Sequence, residues 1–304
     1  MRILITGANG LLGQKLVTLM APMKSIDVIA TSRGESRILG VKDEFIYDSL
    51  DITREEQVMD IVEKHKPEVI IHTAAMTNVD ECETNKDGCL KLNIHAVEYL
   101  VRACEKNNIY LVHLSTDFIF DGEDGPYTED AEPNPISYYG DSKLKAEEII
   151  LKSSIRYSIA RTILVYGITP GMSRSNIILW VKKSLEEKKN IQVVTDQWRT
   201  PTLAEDLAMG CFLLATQQIE GIFNIGGKDF LTPYDMAIMV ADYFNLDKTY
   251  IAKADSSNFS QVAKRPPRTG LNLEKSSNRL GYDPHSFEEG IALLASQLEI
   301  LDQN

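Results

Sequence analysis

The feature that most constrains the fold is a glycine-rich turn that begins at residue 7. Gly7, Gly10 and Gly13 follow a short apolar run and precede a helical pattern of apolar residues. Between a strand and a helix, glycines at this spacing allow a tight turn, a close approach of backbone to a pyrophosphate, and close packing of helix on strand. The chain is therefore predicted to begin with the first strand–turn–helix unit of a dinucleotide-binding sheet.

Apolar runs alternate with helical patterns over the first half of the chain. Strands are predicted at residues 3–6, 27–31, 45–47, 68–73, 109–115 and 157–162, with helices between them, including one long helix at 87–107. This alternation is typical of a parallel sheet with crossover helices. After residue 167 the elements become shorter and mixed. The sequence predicts an α/β protein: a Rossmann-type doubly wound parallel sheet over 1–165, to which later segments return, and a smaller interleaved α/β substrate domain over 166–304.

Composition excludes several classes of function. The 304 residues have a formal net charge of −12, so we expect neither nucleic-acid nor membrane binding. No apolar run approaches the ~20 residues that span a bilayer, and no signal segment precedes the first strand, so we expect a cytoplasmic protein. The 4 cysteines lack C-x-x-C spacing and are expected as free thiols. The 5 histidines are scattered and predict no metal site.

The end of the second strand indicates which dinucleotide binds. An acidic residue there would bind the ribose 2′-hydroxyl of NAD, whereas the chain has Ser32 and Arg33, and arginine suits a 2′-phosphate. NADPH is therefore predicted, with NADH left as the alternative. Asp51 is placed to meet the adenine, although a helix N-cap is a second interpretation of it. The predicted cofactor-binding residues are Gly7, Asn9, Gly10, Leu11, Leu12, Gly13, Ser32, Arg33, Asp51, Ile52, Ala74, Ala75, Met76, Tyr139 and Lys143.

Three residues form a candidate catalytic trio: Thr116, Tyr139 and Lys143. Residues four apart on a helix share one face, so Tyr139 and Lys143 can both point into the cleft. A nearby ammonium lowers a tyrosine pKa from about 10, which makes the phenol a better acid. Thr116, at a predicted strand end, can donate a hydrogen bond to a substrate carbonyl oxygen. A surface tyrosine beside an unrelated lysine is the structural alternative, and Tyr138 is the neighbouring rival.

Several stretches together resemble an extended short-chain dehydrogenase/reductase: GANGLLG, HTAAMTNVDECE, Asn93, STDFIFDG, YYGDSKLKAEE and RTILVYG. Within that superfamily the chain is most similar to the dTDP-4-dehydrorhamnose reductase family, and DQWRTPT-LAEDLA and KRPPRTGLN extend the similarity into the second half. The resemblance implies that Thr116, Tyr139 and Lys143 are catalytic. It also implies NAD(P)H-dependent reduction of the 4-keto group of a nucleotide-linked 6-deoxyhexose.

A nucleotide sugar carries a pyrophosphate, and arginine forks match phosphate oxygens. Cationic residues on proline-marked loops are therefore candidates for this contact, and Trp198 could stack on a base or sugar. Loop bracing is the structural alternative for each arginine. Arg174, Trp180 and Lys182, near the start of a helix predicted at 175–188, could contribute. The predicted substrate-binding residues are Thr77, Asn78, Thr116, Asp117, Trp198, Arg199, Arg265 and Arg268, with Lys264 as a further candidate.

Two alternatives to a reductase are left open. One is a nucleotide-sugar epimerase or dehydratase that keeps its NAD(P) bound, although such chemistry usually needs an additional acid or base. The other is a non-catalytic NADP-binding regulatory subunit, resembling the regulatory partner of methionine adenosyltransferase, which would have no need of Tyr139 with Lys143. The expected partner is a nucleotide-sugar substrate. A homodimer is left open, because the amphipathic carboxyl-terminal helix suits either core or subunit packing.

Overall fold

The computed structural model describes residues 1–41, 44–171, 175–259 and 261–302. Within these ranges the strands are β1 (Arg2–Thr6), β2 (Asp27–Ser32), β3 (Ile46–Ser49), β4 (Val69–His72), β5 (Tyr110–Thr116), β6 (Tyr157–Thr162), β7 (Val165–Tyr166), β8 (Ile191–Val194), β9 (Thr202–Leu203), β10 (Gly221–Asn224) and β11 (Ile251–Ala254). Seven of them form one sheet in the order β10-β6-β5-β4-β1-β2-β3.

Every neighbouring pair in this sheet is parallel. The order reverses between β1 and β4, which is the switch point of a doubly wound dinucleotide-binding sheet. Ligands bind such sheets in the crevice beyond the carboxyl ends of the strands. The predicted Rossmann-type α/β fold is confirmed.

The helices cover both faces of the sheet. They are α1 (Leu11–Met20), α2 (Glu55–His65), α3 (Val79–Thr84), α4 (Lys86–Leu90), α5 (Ala96–Asn107), α6 (Tyr138–Lys152), α7 (Ile177–Glu186), α8 (Ala204–Gln217), α9 (Pro233–Tyr243), α10 (Glu274–Leu280) and α11 (Phe287–Asp302). Alternate residues of β1 enter different cores: Ile3 and Ile5 pack with α1 and α8, and Leu4 packs with α2 and α5. This burial on both faces explains why the strands are continuous apolar runs.

The single helix predicted over 87–107 is wrong, because a π-helical turn interrupts it. α4 ends at Leu90, the π turn occupies Lys91–His95, and α5 begins at Ala96. The turn contains Asn93, whose buried amide bonds the backbone of Met76 on the neighbouring loop. A π turn adds one residue to a helical turn, and such turns are frequent at functional sites.

The chain beyond residue 165 contributes to two cores. β10 is the edge strand of the large sheet beside β6, and α8 packs on that sheet, so that Leu207, Cys211 and Phe223 join its core. A second core forms between α7, α9 and α11, with Val181 and Val240 among its buried residues. Two small parallel sheets, β7–β9 and β8–β11, complete this second part. The smaller α/β part is therefore interleaved with the sheet rather than simply following it.

Candidate active site

The glycine turn has the shape of a cradle for a dinucleotide pyrophosphate. Gly7 has a φ of +70°, and a side chain there would lie 2.8 Å from the Ala74 nitrogen. A side chain at Gly13 would lie 2.6 Å from the Ala8 Cα, so this glycine allows α1 to pack against the turn. Gly10 caps α1, and no side chain caps the first N–H groups. Uncapped N–H groups at the start of a helix suit an anion.

The loop after β2 is held against this turn by Asn9. Its amide nitrogen donates to the Glu35 carbonyl at 2.8 Å, and its oxygen accepts from the Arg37 N–H at 2.8 Å. This places Arg37 in the same exposed loop as Arg33, at the carboxyl end of β2. Sequence reasoning missed Arg37, although its position four residues after Arg33 was a usable signal. Direct contact of Asn9 with the cofactor stays a prediction.

The residues after β3 have structural partners in this arrangement. Asp51 accepts hydrogen bonds from the Thr53 N–H at 3.0 Å and the Thr53 hydroxyl at 2.7 Å. Burial alone would raise the pKa of Asp51, but these hydrogen bonds and the nearby Arg33 charge outweigh it, so the pKa is lowered. Ile52 is buried in the core beside α2. The N-cap of α2 is Arg54, so the helix N-cap interpretation of Asp51 is wrong; Asp51 instead accepts from Thr53 in the turn before α2, and adenine contact stays a prediction.

The segment after β4 lies beside the glycine turn and is fixed by Asn93. The Asn93 oxygen accepts from the Met76 N–H at 2.8 Å, and its nitrogen donates to the Met76 carbonyl at 3.0 Å. Ala74 lies next to Gly7, in the segment that Asn93 fixes, and cofactor contact by Ala74 and Ala75 stays a prediction. Sequence reasoning gave Asn93 no such role. Asn78 caps α3 by accepting from the Glu81 N–H, so substrate contact by Thr77 and Asn78 stays a prediction.

The predicted trio lies at the carboxyl edge of the sheet. Thr116 ends β5, and its hydroxyl lies near the phenol of Tyr139, which is 8% exposed. Tyr138 instead is half-buried, with the Lys86 ammonium 5.2 Å from its ring. The geometry therefore favours Tyr139 over its neighbour. Burial raises the pKa of Tyr139 above its usual value, against the opposing hydrogen bond of Thr116, so the phenol holds its proton at neutral pH.

Lys143 lies one helical turn after Tyr139 and is 4% exposed. Burial lowers its pKa to about 8, and the Glu147 carboxylate opposes this shift. Its Nζ lies 3.2 Å from Nε2 of His113, a fully buried residue of β5. Sequence reasoning treated His113 as a packed strand histidine and missed this contact, because the two residues are 30 positions apart.

Asp117 connects Thr116 to a distant loop. One carboxylate oxygen accepts from the Thr116 hydroxyl at 3.1 Å, and the other accepts from the Thr269 hydroxyl at 2.6 Å. Burial raises the pKa of Asp117 to about 6, against the opposing charge of Arg199. Asp117 therefore orients the Thr116 hydroxyl, and direct substrate contact by its carboxylate stays a prediction.

Arg199 and Arg265 are engaged with protein groups in this structure. Arg199 is 6% exposed and donates to the carbonyls of Pro266 at 2.7 Å and Pro267 at 3.1 Å. Arg265 forms a bidentate pair with Asp80, at 2.8 and 3.2 Å. Both guanidinium groups brace the loop around the two prolines. Phosphate binding by these arginines stays a prediction, and loop bracing is the interpretation that the contacts support.

Trp198 and Arg268, two further predicted substrate-binding residues, both lie against the ring of Phe230. Trp198 packs against its ring at 5.4 Å, and the Arg268 guanidinium lies 5.1 Å from the ring centre. Arg268 also donates to the Gly125 carbonyl at 2.7 Å. Trp198 is 36% exposed, so one face remains accessible to a ligand. Lys264 is exposed, and Arg174 lies outside the described residues.

A comparison with known protein families shows to which family this chain belongs. The family model described as RmlD substrate binding domain matches residues 1–300. The chain belongs to this family. The resemblance expected from its motifs is thereby confirmed. A dTDP-4-dehydrorhamnose reductase of Aggregatibacter actinomycetemcomitans is 29% identical over 98% of this chain and 99% of that protein.

Two further relatives of this RmlD-family chain bear on its function. The crystal structure of dTDP-4-dehydrorhamnose reductase from Bacillus anthracis in complex with NADP has a TM-score of 0.83 and 26% identity, covering 97% of this chain and 99% of that one. Methionine adenosyltransferase 2 subunit beta of Danio rerio is 29% identical over 90% of this chain and 83% of that protein. The relatives of this chain thus include a reductase as well as a subunit of a different enzyme.

A cavity of about 550 Å³ lies beyond the carboxyl end of β6. It is lined by β7, the start of α7, β8, Pro233 and Phe259. Trp180 and Phe259 line it and are partly exposed, at 41% and 36%. The predicted contribution of Lys182 has a simpler explanation, since its ammonium pairs with Glu186 one turn along α7.

The residues that the structure describes show neither a metal site nor a membrane-spanning helix, and their cysteines are unpaired. Among them, no group of three or more His, Cys, Asp or Glu residues could hold a metal ion. All four cysteines are free and buried. Across the same residues, none of the helices is both long and apolar enough to cross a membrane.

Proposed function

We propose that this RmlD-family protein is an NAD(P)H-dependent reductase of the 4-keto group of a nucleotide-linked 6-deoxyhexose, of the dTDP-4-dehydrorhamnose reductase type. One observation carries the proposal: the Tyr139 phenol lies buried against the Thr116 hydroxyl, one helical turn from the Lys143 ammonium, at the carboxyl edge of the sheet. Similarity to reductases over nearly the whole chain supports it.

The cofactor site fits NADPH. The turn from Gly7 to Gly13 and the uncapped start of α1 would hold the pyrophosphate. Arg33 and Arg37, both exposed at the end of β2, would bind the 2′-phosphate. When bound, NADPH supplies the hydride that reduces the carbonyl carbon. NADP in the crystal structure of the Bacillus anthracis relative supports this assignment, with NADH left as the alternative.

The chain's own groups act on the carbonyl oxygen. Before substrate binds, the phenol of Tyr139 lies near the Thr116 hydroxyl, which donates to Asp117. A carbonyl oxygen entering the cleft accepts hydrogen bonds from Tyr139 and Thr116, which stabilise the negative charge that develops there. The phenol then gives its proton to this oxygen, and the O–H bond of Tyr139 breaks. The Lys143 ammonium stabilises the phenolate that remains, because opposite charges in a buried site attract strongly.

The protonation states suit reduction rather than oxidation. Burial raises the Tyr139 pKa, so the residue enters the reaction as a neutral acid. Lys143, with a pKa lowered to about 8, is still mostly protonated at pH 7. The raised pKa, opposite to the lowering expected from the sequence, makes the phenol a weaker acid, so proton donation depends on the Lys143 charge that stabilises the phenolate.

The nucleotide part of the substrate would occupy the cavity beyond β6. Its volume of about 550 Å³ lies within the usual range for small-molecule sites, which is roughly 300–1,000 Å³. Trp180 and Phe259 offer aromatic surfaces on which a base can stack. Aromatic surfaces can stack on any base, so the cavity does not select one. The assignment of the base and the sugar depends on similarity to the dTDP-4-dehydrorhamnose reductases.

Oxidation of NADPH by dTDP-4-keto-6-deoxy-L-mannose, with other 4-ketohexose nucleotides in parallel, tests the proposal. Stoichiometric NADPH consumption is expected with at least one of them. Net consumption would also separate a reductase from an epimerase or dehydratase, which recycle their cofactor. The buried carboxyl beside Thr116 already argues against those chemistries, because both oxygens of Asp117 accept hydrogen bonds from protein hydroxyls.

A non-catalytic regulatory subunit is the second candidate, and the similarity to methionine adenosyltransferase 2 subunit beta favours it. The contact between Thr116 and Tyr139 argues against it, because a protein that only binds NADP has no need of a buried phenol on a hydroxyl donor. Saturable NADPH binding without consumption of NADPH by any keto-sugar nucleotide would favour the regulatory function and contradict the reductase.

A further inference from the structure

The Lys143 ammonium contacts one end of a buried row of polar side chains, formed by His113, His72 and Thr6. The proposed chemistry does not use this row. His113 on β5 and His72 on β4 are register partners, and His72 is in turn the partner of Thr6 on β1. The two imidazole rings stack with centres 5.3 Å apart, and Thr6 Oγ1 lies 2.7 Å from His72 Nδ1. The row crosses three neighbouring strands directly below the carboxyl edge and ends at the Lys143 ammonium, 3.2 Å from His113 Nε2.

The environment keeps both imidazoles neutral. His113 is fully buried and His72 is 2% exposed. Burial and the Lys143 charge lower the pKa of His113 well below its ordinary value, and lower that of His72 to about 3. A neutral imidazole that faces an ammonium accepts a hydrogen bond at the facing nitrogen, so the proton of His113 lies on Nδ1. That Nδ1 has no hydrogen-bond partner among the described residues. The lysine thus selects the tautomer.

Other groups near the ammonium do not replace this acceptor. The titratable groups that face Lys143 are Tyr139 and Glu147 of α6, Cys89 of α4, His113 of β5 and His72 of β4. The Glu147 carboxylate is engaged in a bidentate pair with Arg161, at 2.8 and 3.1 Å. Hydrogen bonds, first that of Cys82, lower the pKa of the Cys89 thiol, so Cys89 also titrates near the lysine.

We infer that His113 is a positioning residue for Lys143: its Nε2 lone pair holds the ammonium in its charged form and directs it beside Tyr139. The inference rests on the proposed reductase function for its effect on turnover, whereas the hydrogen bond itself can be tested without turnover. A hydrogen bond accepted from a buried ammonium stabilises the charged form. Loss of the acceptor therefore lowers the pKa of Lys143, and the ammonium is lost at lower pH.

Two variants of nearly equal shape separate the acceptor from its packing. In His113→Gln the amide oxygen can occupy the position of Nε2, whereas His113→Met offers only a thioether, which is a much weaker acceptor. In His113→Met, the apparent pKa at which kcat of the full chain falls at high pH is expected to decrease by about one unit. At a pH above this value, kcat should then be about tenfold lower than in the wild type. His113→Gln should restore most of the profile, and NADPH affinity at pH 6 should change little.

Two controls exclude other causes. The kcat–pH profiles are compared in a Cys89→Ala background, so that titration of the Cys89 thiol cannot cause the fall of kcat at high pH. Tyr110→Phe removes a buried hydrogen bond to Ser158 from the same strand, on the opposite face of the sheet, and should lower thermal stability without moving the profile. An unshifted profile in His113→Met, or an equal shift in both His113 variants, would overturn the inference.

Histidine ¹⁵N NMR of the full chain provides a readout that needs no turnover. His113 is expected to remain neutral, with its proton on Nδ1, from pH 6 to 9, and to change tautomer in Lys143→Met. An ordinary titration of His113 near pH 6.5 in an active enzyme would refute the positioning role and leave the reductase function standing. The expected tautomer in a protein that reduces no keto-sugar nucleotide would support the hydrogen bond and refute the proposed function instead.

Discussion

Replacement of Asn93 by leucine should weaken both the fold and the cofactor site. Asn93 is 1% exposed, and its amide bonds the Met76 N–H at 2.8 Å, the Met76 carbonyl at 3.0 Å and the Ser142 hydroxyl at 3.0 Å. Leucine has the same number of side-chain heavy atoms but no polar atom, so these groups lose their partner. Leaving a buried polar group unsatisfied costs about 1–3 kcal/mol, and Met76 is partly accessible to water, so the free energy of unfolding should fall by about 2–4 kcal/mol.

Guanidinium chloride unfolding, followed by circular dichroism, measures this loss. Because Asn93 holds the segment beside the glycine turn, the dissociation constant of NADPH, measured by fluorescence titration, should also rise by about tenfold. Asn85→Ala is the matched control: it removes the exposed cap of α4, which accepts from the Gly88 N–H at 3.0 Å. This variant should lose only about 1 kcal/mol of stability and leave NADPH affinity unchanged.

Two results would refute this reasoning. A loss of less than about 1 kcal/mol in Asn93→Leu would mean that the π turn and its amide contacts contribute little. A clear loss of stability with wild-type NADPH affinity would mean that Asn93 supports the fold but does not position the loop over the cofactor.

Three further predictions concern the cofactor, the substrate and pH. Arg33→Ala and Arg37→Ala should each raise KM for NADPH about tenfold and leave KM for NADH nearly unchanged, since only NADPH carries the 2′-phosphate; equal effects on both cofactors would contradict this. Trp180→Ala should raise KM for the nucleotide sugar about tenfold at unchanged NADPH affinity. An unchanged KM would contradict binding of the base in the cavity lined by Trp180 and Phe259. Turnover should fall above about pH 8, because Lys143 loses its proton there; constant kcat to pH 10 would exclude a required ammonium.

The main sheet could be predicted because its strands are buried on both faces. The strand predicted at 157–162 coincides with β6, and the one predicted at 27–31 differs from β2 by one residue. The π turn at Lys91–His95 could not be predicted, since it depends on a contact between Asn93 and a loop that only the folded chain brings near. Elements of low apolar content were also missed, such as α10, and two-residue strands such as β9 have no periodicity to detect.

The trio could be predicted because helical spacing and a strand end place its members, whereas the surroundings depend on long-range contacts. Nothing near Arg265 in sequence indicates its pairing with Asp80, which lies 185 positions away. The same is true of Arg268, whose guanidinium donates to a carbonyl 143 positions away. Residue type correctly indicated charge and donor capacity, but the folded loops decide whether a guanidinium meets a ligand or a protein carbonyl.

The most direct test of the catalytic assignment is turnover by Tyr139→Phe, with Tyr138→Phe as its control. The first variant should keep NADPH affinity within about twofold of wild type and lower kcat by about 10²–10⁴-fold, the usual effect of removing a positioned acid. Tyr138→Phe, which changes the half-buried neighbouring phenol beside Lys86, should reduce the keto-sugar nucleotide at nearly the wild-type rate. Near-normal turnover by Tyr139→Phe would contradict the assignment of Tyr139 as the proton donor.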